Sequence, residues 1–224
     1  MTKTLNLILL RHGITDHNTG LRLTGWGDPD LNPEGQAQAK AATSKLAQAH
    51  KIEAIYVSPL RRAQQTAQYL ADVTGLPLIF DPDLKELNFG EMEGRTIPEM
   101  KELHPELFTA WRSAADPDFG WPGGETRLDF HTRVDQAIWR VIQDSVAHGY
   151  ETVAIVGHGG ALAGFASEIL VGQPYVWREY LLENCEYYLV AADYEANSDT
   201  KIEKNQVGLR LVTMGKLLGW EPGT

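Results

Sequence analysis

Three short apolar runs punctuate the chain: Leu5–Leu10, Ile55–Val57 and Val153–Val156. Each is too short for a globular helix and is bounded by polar or turn-forming residues, which predicts buried strands. Between and after them, apolar positions fall three and four apart. Leu60, Ala63, Ala67, Leu70 and Ala71 make one such face, closed by Gly75 and Pro77. Ser58 is placed to cap this helix, with Pro59 at its first position. Asn32-Pro33 opens another helix in the same way, running towards His50. Val134, Ile138, Val141, Ile142 and Val146 mark a third, and a fourth follows Gly160 and stops at Gly172 and Pro174. Strands alternating with helices predict an α/β fold: a mostly parallel central sheet with helices on both faces. Two later β-rich runs, Tyr187–Ala191 and Val207–Thr213, are expected to add strands, antiparallel ones at an edge. From Arg95 to Arg127 the periodicity weakens and aromatics gather (Phe108, Trp111, Phe119, Trp121), as expected of an inserted cap beside the sheet.

Composition narrows the function. The chain has 224 residues and no internal repeat, low-complexity tract or linker, so one domain over residues 1–224 is expected. A formal charge of −10 opposes a surface that grips nucleic acid, which needs Lys and Arg to neutralise phosphates. It leaves room for a small cationic pocket. The one cysteine, Cys185, excludes an intramolecular disulfide framework, fits a reducing cytoplasm, and is expected to be a small buried residue. Leu5–Leu10 contains Asn6 and ends at Arg11, so no export signal is expected. Ala154–Val171 contains His158 and Glu168 and falls short of the roughly 20 apolar residues of a bilayer span, so no membrane partner is expected either.

The chemistry gathers where the strands end. The first ends in Arg11-His12-Gly13, the second in Ser58-Pro59-Leu60-Arg61-Arg62, the third in Gly157-His158-Gly159. In open α/β sheets ligands bind at the carboxyl ends of the strands. Arginines, imidazoles and helix N-termini converging there suit a phosphoryl group, because arginine forks and backbone N–H groups both bind its oxygens.

Four strings carry a resemblance. Leu10-Arg11-His12-Gly13-Ile14-Thr15-Asp16-His17-Asn18 resembles the signature of the histidine phosphatase superfamily, the group that includes cofactor-dependent phosphoglycerate mutases. Ser58 to Ala67 resembles its second motif, Glu86 to Gly94 its acidic motif, and Val156-Gly157-His158-Gly159-Gly160 its last. Four strings in order across residues 10 to 160 are specific where one is not. The resemblance implies a phosphoglycerate mutase-like fold and a catalytic set of Arg11, His12, Arg62, Glu86 and His158. His12 would become a phosphohistidine, Arg11, Arg62 and His158 would stabilise charge on the phosphoryl oxygens, and Glu86 would donate a proton. Asn18, Thr24, Gly25 and Gly159 would add phosphate or substrate contacts. No cofactor and no metal are expected, and no metal-ligand spacing such as His-Glu-x-x-His occurs.

Other residues read more plainly. Arg61 is expected to be a solvated surface charge, and Glu91 and Glu93 an exposed acidic loop. His17, His50, His104, His131 and His148 read as surface or helix residues. Asp28-Pro29-Asp30-Leu31-Asn32 departs from the family's usual Asp-x-Pro-Leu-Thr; Asn32 can still cap, but the pocket rim near Asp28 and Asp30 is left open. Residues 95–130 hold four basic residues against seven acidic ones, fewer cations than a mutase's second phosphate would need. Pro122-Gly123-Gly124-Glu125-Thr126 resembles the phosphatase branch. A metal-independent phosphatase acting on a small phosphomonoester is therefore expected, ahead of a mutase or a non-catalytic phospho-ligand-binding module. The oligomeric state stays open, with a homodimer among the forms allowed, and residues beyond about 172 carry no usable motif.

Overall fold

The computed structural model describes residues 1–112, 116–195 and 202–215. Among them lie the strands β1 (Thr2–Arg11), β2 (Ala54–Val57), β3 (Leu78–Phe80), β4 (Thr152–Gly157), β5 (Tyr187–Glu195) and β6 (Val207–Gly215). They form one sheet in the order β3-β2-β4-β1-β5-β6. The first four are parallel, while β5 and β6 are antiparallel and complete one edge, as their late β-rich runs suggest. β3 is the strand that the hydrophobic pattern missed. It has three residues, and Ile79 and Phe80 are exposed, so no buried run announces it.

The helices are α1 (Asp16–Thr19), α2 (Pro33–Ala49), α3 (Arg61–Thr74), α4 (Ile97–Leu103), α5 (Pro105–Arg112), α6 (Arg127–His148) and α7 (Gly159–Val171). Alternation along the strands splits the core in two. Leu5, Leu7 and Leu9 of β1 and Val153 and Ile155 of β4 pack with α6 and α7. Ile8, Leu10, Ala154 and Val156 face the other way, against α3. Both faces of the sheet are thus covered. Met100 of α4, with Phe119 and Trp121 from the aromatic segment, belongs to the first cluster, so the region between β3 and α6 is anchored to the sheet's own core.

Local chemistry explains most helix ends. Asn32 caps α2 by accepting from the Gly35 amide, and Pro33 follows it. Gly75, Gly149 and Gly172 close α3, α6 and α7 in the left-handed conformation. The start of α3 corrects the sequence reading: it begins at Arg61, and neither Ser58 nor Pro59 is helical. The Ser58 hydroxyl lies 2.8 Å from His158 Nε2 instead. Asp28, from a distant loop, accepts from the Arg61 amide at 2.7 Å and does the capping. Spacing along one segment cannot reveal a cap supplied by another.

The loop after β1 is held by a close backbone crossing with α2. A Cβ on Gly35 would lie 2.0 Å from the Ile14 carbonyl oxygen, and one on Gly13 would lie 2.5 Å from that of Gly35. Gly35→Ala is therefore expected to destabilise the protein by roughly 1–3 kcal/mol, the cost of overpacking against rigid backbone. Thermal unfolding measures it, and an unchanged midpoint would show that the crossing yields without cost.

Candidate active site

Parallel pairing of β1 and β4 sets Arg11 beside Gly157, so His12 and His158 leave adjacent strands at the same level. Their ring centroids are 5.2 Å apart, edge to face. α3 starts just beyond the neighbouring strand and sends Arg62 inward, 1% exposed. Its Nε donates to His12 Nε2 at 3.2 Å, and its two Nη atoms donate to the carbonyls of Gly27 and Gly25 at 2.8 and 2.7 Å. Arg61, one residue earlier, points outward. It is exposed as expected, but paired with Asp30 at 2.9 Å rather than merely solvated. The acidic departure near residues 28–30 thus holds the start of α3.

The partners of His12 fix its tautomer. Nδ1 lies 2.7 Å from the Gly13 carbonyl oxygen, which can only accept, so Nδ1 carries the proton. Nε2 faces the Arg62 Nε–H, which can only donate, so Nε2 presents its lone pair. Burial, and then Arg62 and Arg11, hold the imidazole well below the usual histidine range, against a smaller opposing effect of the Gly13 carbonyl. His12 is neutral at pH 7. His158 is held low by burial, then by Arg62, His12 and Arg11. Its Nε2 is taken by Ser58, while Nδ1 is buried without a hydrogen-bond partner among the described residues.

Arg11 is steadied from a segment in which the sequence showed no motif. One Nη donates to the Leu182 carbonyl. Asn184 Nδ2 donates to the His12 carbonyl at 2.9 Å, and the Cys185 amide is shared between the carbonyls of Arg11 and His12 at 3.2 and 3.3 Å. Cys185 takes φ of 62°, a strained conformation for a non-glycine residue. It is buried as expected, and burial pushes its thiol up to about 12, so it is inert.

Glu86 arrives at the same place from the loop after β3. Its Oε2 accepts from the Gly160 amide at 2.8 Å, in the first turn of α7. A Cβ on Gly160 would lie 2.7 Å from Glu86 Oε1, so a larger residue there would displace the Glu86 carboxyl group. Glu125, the acid of the Pro-Gly-Gly-Glu string, accepts from the Asn88 amide and pairs with Arg133 at 2.8 Å. Arg133 in turn donates to the Asp83, Lys85 and Glu86 carbonyls, so this string tethers the acidic loop. Glu91 is exposed as expected, but Glu93 is not part of an exposed acidic loop. Half-buried, it accepts from the amides of Trp26, Gly27 and Phe89, which offer three N–H donors to one carboxylate.

A cavity of about 280 Å³ opens at this place, and His158, fully buried, is not among the residues that line it. Arg11, His12, Arg62 and Glu86 line it, as do Asn18, Thr24, Gly25 and Gly159. Asn18 closes the capping box of α1 with Thr15, Thr24 is buried at the rim, and Gly159 packs against the Arg11 guanidinium. Among the described residues, no group of three or more His, Cys, Asp or Glu side chains could hold a metal ion. No described helix is long and apolar enough to cross a membrane.

The family model of the histidine phosphatase superfamily (branch 1) matches residues 7–203. The chain belongs to this superfamily. It is 40% identical over 154 residues to the bifunctional protein Rv2228c of Mycobacterium tuberculosis, covering 68% of this chain and 40% of that protein. The chain thus matches well under half of that relative's length. It is 35% identical to the glucosyl-3-phosphoglycerate phosphatase of Mycolicibacterium vanbaalenii over 73% of each chain. The native structure of the mycobacterial glucosyl-3-phosphoglycerate phosphatase Rv2419c superposes with a TM-score of 0.79 at 28% identity, over 94% of this chain and 98% of that one.

This member of the superfamily carries a third sheltered imidazole that sequence spacing did not flag. His131 lies on α6 as expected for a helix residue, but it is 7% exposed and lines the cavity wall. Burial, then Arg127 and Arg133, lower it to about 4, against 6.5 in an unfolded chain. Between those values the unfolded chain binds a proton that the folded one refuses. Stability is therefore complete above pH 6.5 and falls towards pH 4, by about 3 kcal/mol from this residue. His12 and His158 act in the same direction. His131→Phe should flatten the dependence of Tm on pH across this window; parallel curves for the two proteins would contradict it.

Proposed function

We propose that the protein is a metal-independent phosphomonoester hydrolase working through a phosphohistidine on His12. The observation that carries the reading is the His12 tautomer: a neutral ring, its Nε2 lone pair turned towards a buried arginine. Relatives named as phosphatases support hydrolysis as the outcome.

The residues divide the work as follows. The phosphoryl group enters beside Arg62 and Arg11, and the Arg62 Nε–H, keeping its proton, exchanges its acceptor His12 Nε2 for a phosphoryl oxygen, which frees the lone pair. Nε2 attacks phosphorus, the bond to the alcohol oxygen breaks, and Glu86 gives that oxygen its proton. The two guanidiniums and a donor nitrogen of His158 hold the equatorial oxygens while charge spreads over them. Water then attacks phosphorus, the P–N bond breaks, and the Glu86 carboxylate takes the proton that water loses. Inorganic phosphate leaves and His12 returns to its starting tautomer. Asn18, Thr24, Gly25 and Gly159 form the near wall of the phosphoryl site. One domain spanning residues 1–224, with a cap over approximately 95–127, is the organisation proposed with this activity.

The test is chemical trapping. A brief reaction with a phosphomonoester, quenched in base, should leave acid-labile phosphate on His12, and His12→Ala should abolish both label and turnover. Label on a serine or aspartate would overturn the two-step reading, as would activity lost to a chelator and restored by a divalent ion.

The two adjacent arginines give a sharper measurement. Arg62→Ala should lower kcat/KM by roughly 10²–10³, the scale of losing a preorganised charge stabiliser. Arg62→Lys should recover little, because an ammonium cannot reproduce the planar fork. Arg61→Ala should cost far less, since its guanidinium faces Asp30. The reverse order would assign the phosphate clamp to Arg61.

A further inference from the structure

Beyond the phosphoryl end, the cavity is walled by Leu23, Phe89, Trp111, Trp121, Phe130 and Trp177. Among the described residues, two cations other than Arg11 and Arg62 touch this part, Arg22 and Arg127, and both are engaged by the protein. Arg127 is 5% exposed, and its two Nη atoms donate to the carbonyls of Asp116 and Trp111. Its guanidinium lies 4.7 Å over the Phe119 ring. Arg127 thus pins the aromatic segment in place. Arg22 sits at the exposed rim, where it donates to the Gly94 carbonyl at 2.7 Å and lies 3.7 Å from the Glu99 carboxylate. A leaving group carrying a carboxylate or second phosphate would have to draw one of these arginines from its partners.

The aromatic wall, by contrast, is held ready. Trp111 comes from α5 and Trp177 from the 3-10 turn Pro174–Tyr180, two segments that meet over the cavity. Arg178 joins them: its guanidinium is 4.4 Å from the Trp111 ring centroid and 5.3 Å from that of Trp177. Its Nη2 also donates to the Trp111 carbonyl at 3.1 Å. One cation therefore fixes both indoles, which lowers the ordering cost of binding a flat group.

We infer that the substrate's leaving alcohol carries a flat, apolar, uncharged group received against Trp111 and Trp177. The inference rests on the phosphatase reading and names its substrate class.

The experiment compares kcat/KM for four monoesters of primary alcohols, which limits differences in leaving-group chemistry: benzyl phosphate, propyl phosphate, 3-phosphoglycerate and glucose 6-phosphate. Benzyl phosphate should exceed propyl phosphate by roughly 10- to 100-fold, the scale of a filled apolar pocket, and should exceed the other two as well. Trp177→Ala should lower kcat/KM for benzyl phosphate at least tenfold more than for propyl phosphate, mainly through KM, and Trp177→Phe should keep most of the preference. Preference for 3-phosphoglycerate or glucose 6-phosphate, or equal rates for benzyl and propyl phosphate, would overturn the substrate class while leaving the phosphatase standing. Turnover of none of the four, nor of 4-nitrophenyl phosphate, would overturn the phosphatase reading and this inference together.

Discussion

Everything at the carboxyl edge of the sheet depends on keeping positive groups in a dry place without neutralising them. Arg62 is almost fully buried, and its hydrogen bonds go to His12 and to two carbonyls. The carboxylates of Glu86, Asp28 and Glu93 act on it from a distance, and the Arg11 guanidinium opposes them more weakly. A carboxylate paired directly with either guanidinium would stabilise the folded protein but would also occupy the positions a phosphoryl oxygen needs. The chain uses carbonyl oxygens instead: Gly25 and Gly27 for Arg62, Leu182 for Arg11. Carbonyls orient a guanidinium by accepting from some of its N–H groups while leaving its full charge for an incoming anion. Burial lowers Arg62 to about 10, and it remains a cation at neutral pH. The imidazoles yield first. Both histidines stay neutral beside these cations, and the state proposed for His12 as nucleophile is the neutral one.

That requirement reaches outward through the fold. Carbonyls can serve only if their loops are held, and each loop is held by something distant in sequence. Glu93 gathers the amides of Trp26 and Gly27, which places the Gly25 and Gly27 carbonyls over Arg62. The Cys185 amide and the Asn184 side chain fasten the end of β1, at the cost of a strained backbone at Cys185. Thr66, one turn into α3, accepts from the Gly13 amide and donates to the Arg62 carbonyl, linking the His12 loop and the start of α3 through one hydroxyl.

These supporting contacts mark the boundary of what the sequence could disclose. Buried runs and helical spacing are local properties, so the strands β1, β2 and β4 and the long helices were legible in the hydrophobic pattern. The catalytic candidates were legible because each sits beside a strand end or in a recognisable string, and the parallel register brings Arg11, His12 and His158 together. The unread parts are long-range. Asp28 caps a helix that starts 33 positions later, and Ser58 spends its hydroxyl on His158 across 100 positions. Glu93 looks like an exposed acid until its three amide donors are known. β3 failed for a different reason: at three residues and largely exposed, it is defined by its pairing with β2 rather than by a pattern of its own.

The same logic that leaves Arg11 and Arg62 without a directly paired carboxylate works in the opposite sense at the aromatic end of the cavity. Arg127 holds the carbonyls of Trp111 and Asp116, and Arg178 lies against two indoles and shares the Trp111 carbonyl. An arginine stacked on an aromatic face rigidifies that face, and a rigid apolar wall binds a flat group with little further ordering. One end of the cavity thus offers charge that its carbonyl partners have oriented but not cancelled, while the other uses its charge to build an uncharged surface. A single phosphomonoester, anionic at one end and apolar at the other, meets both conditions at once.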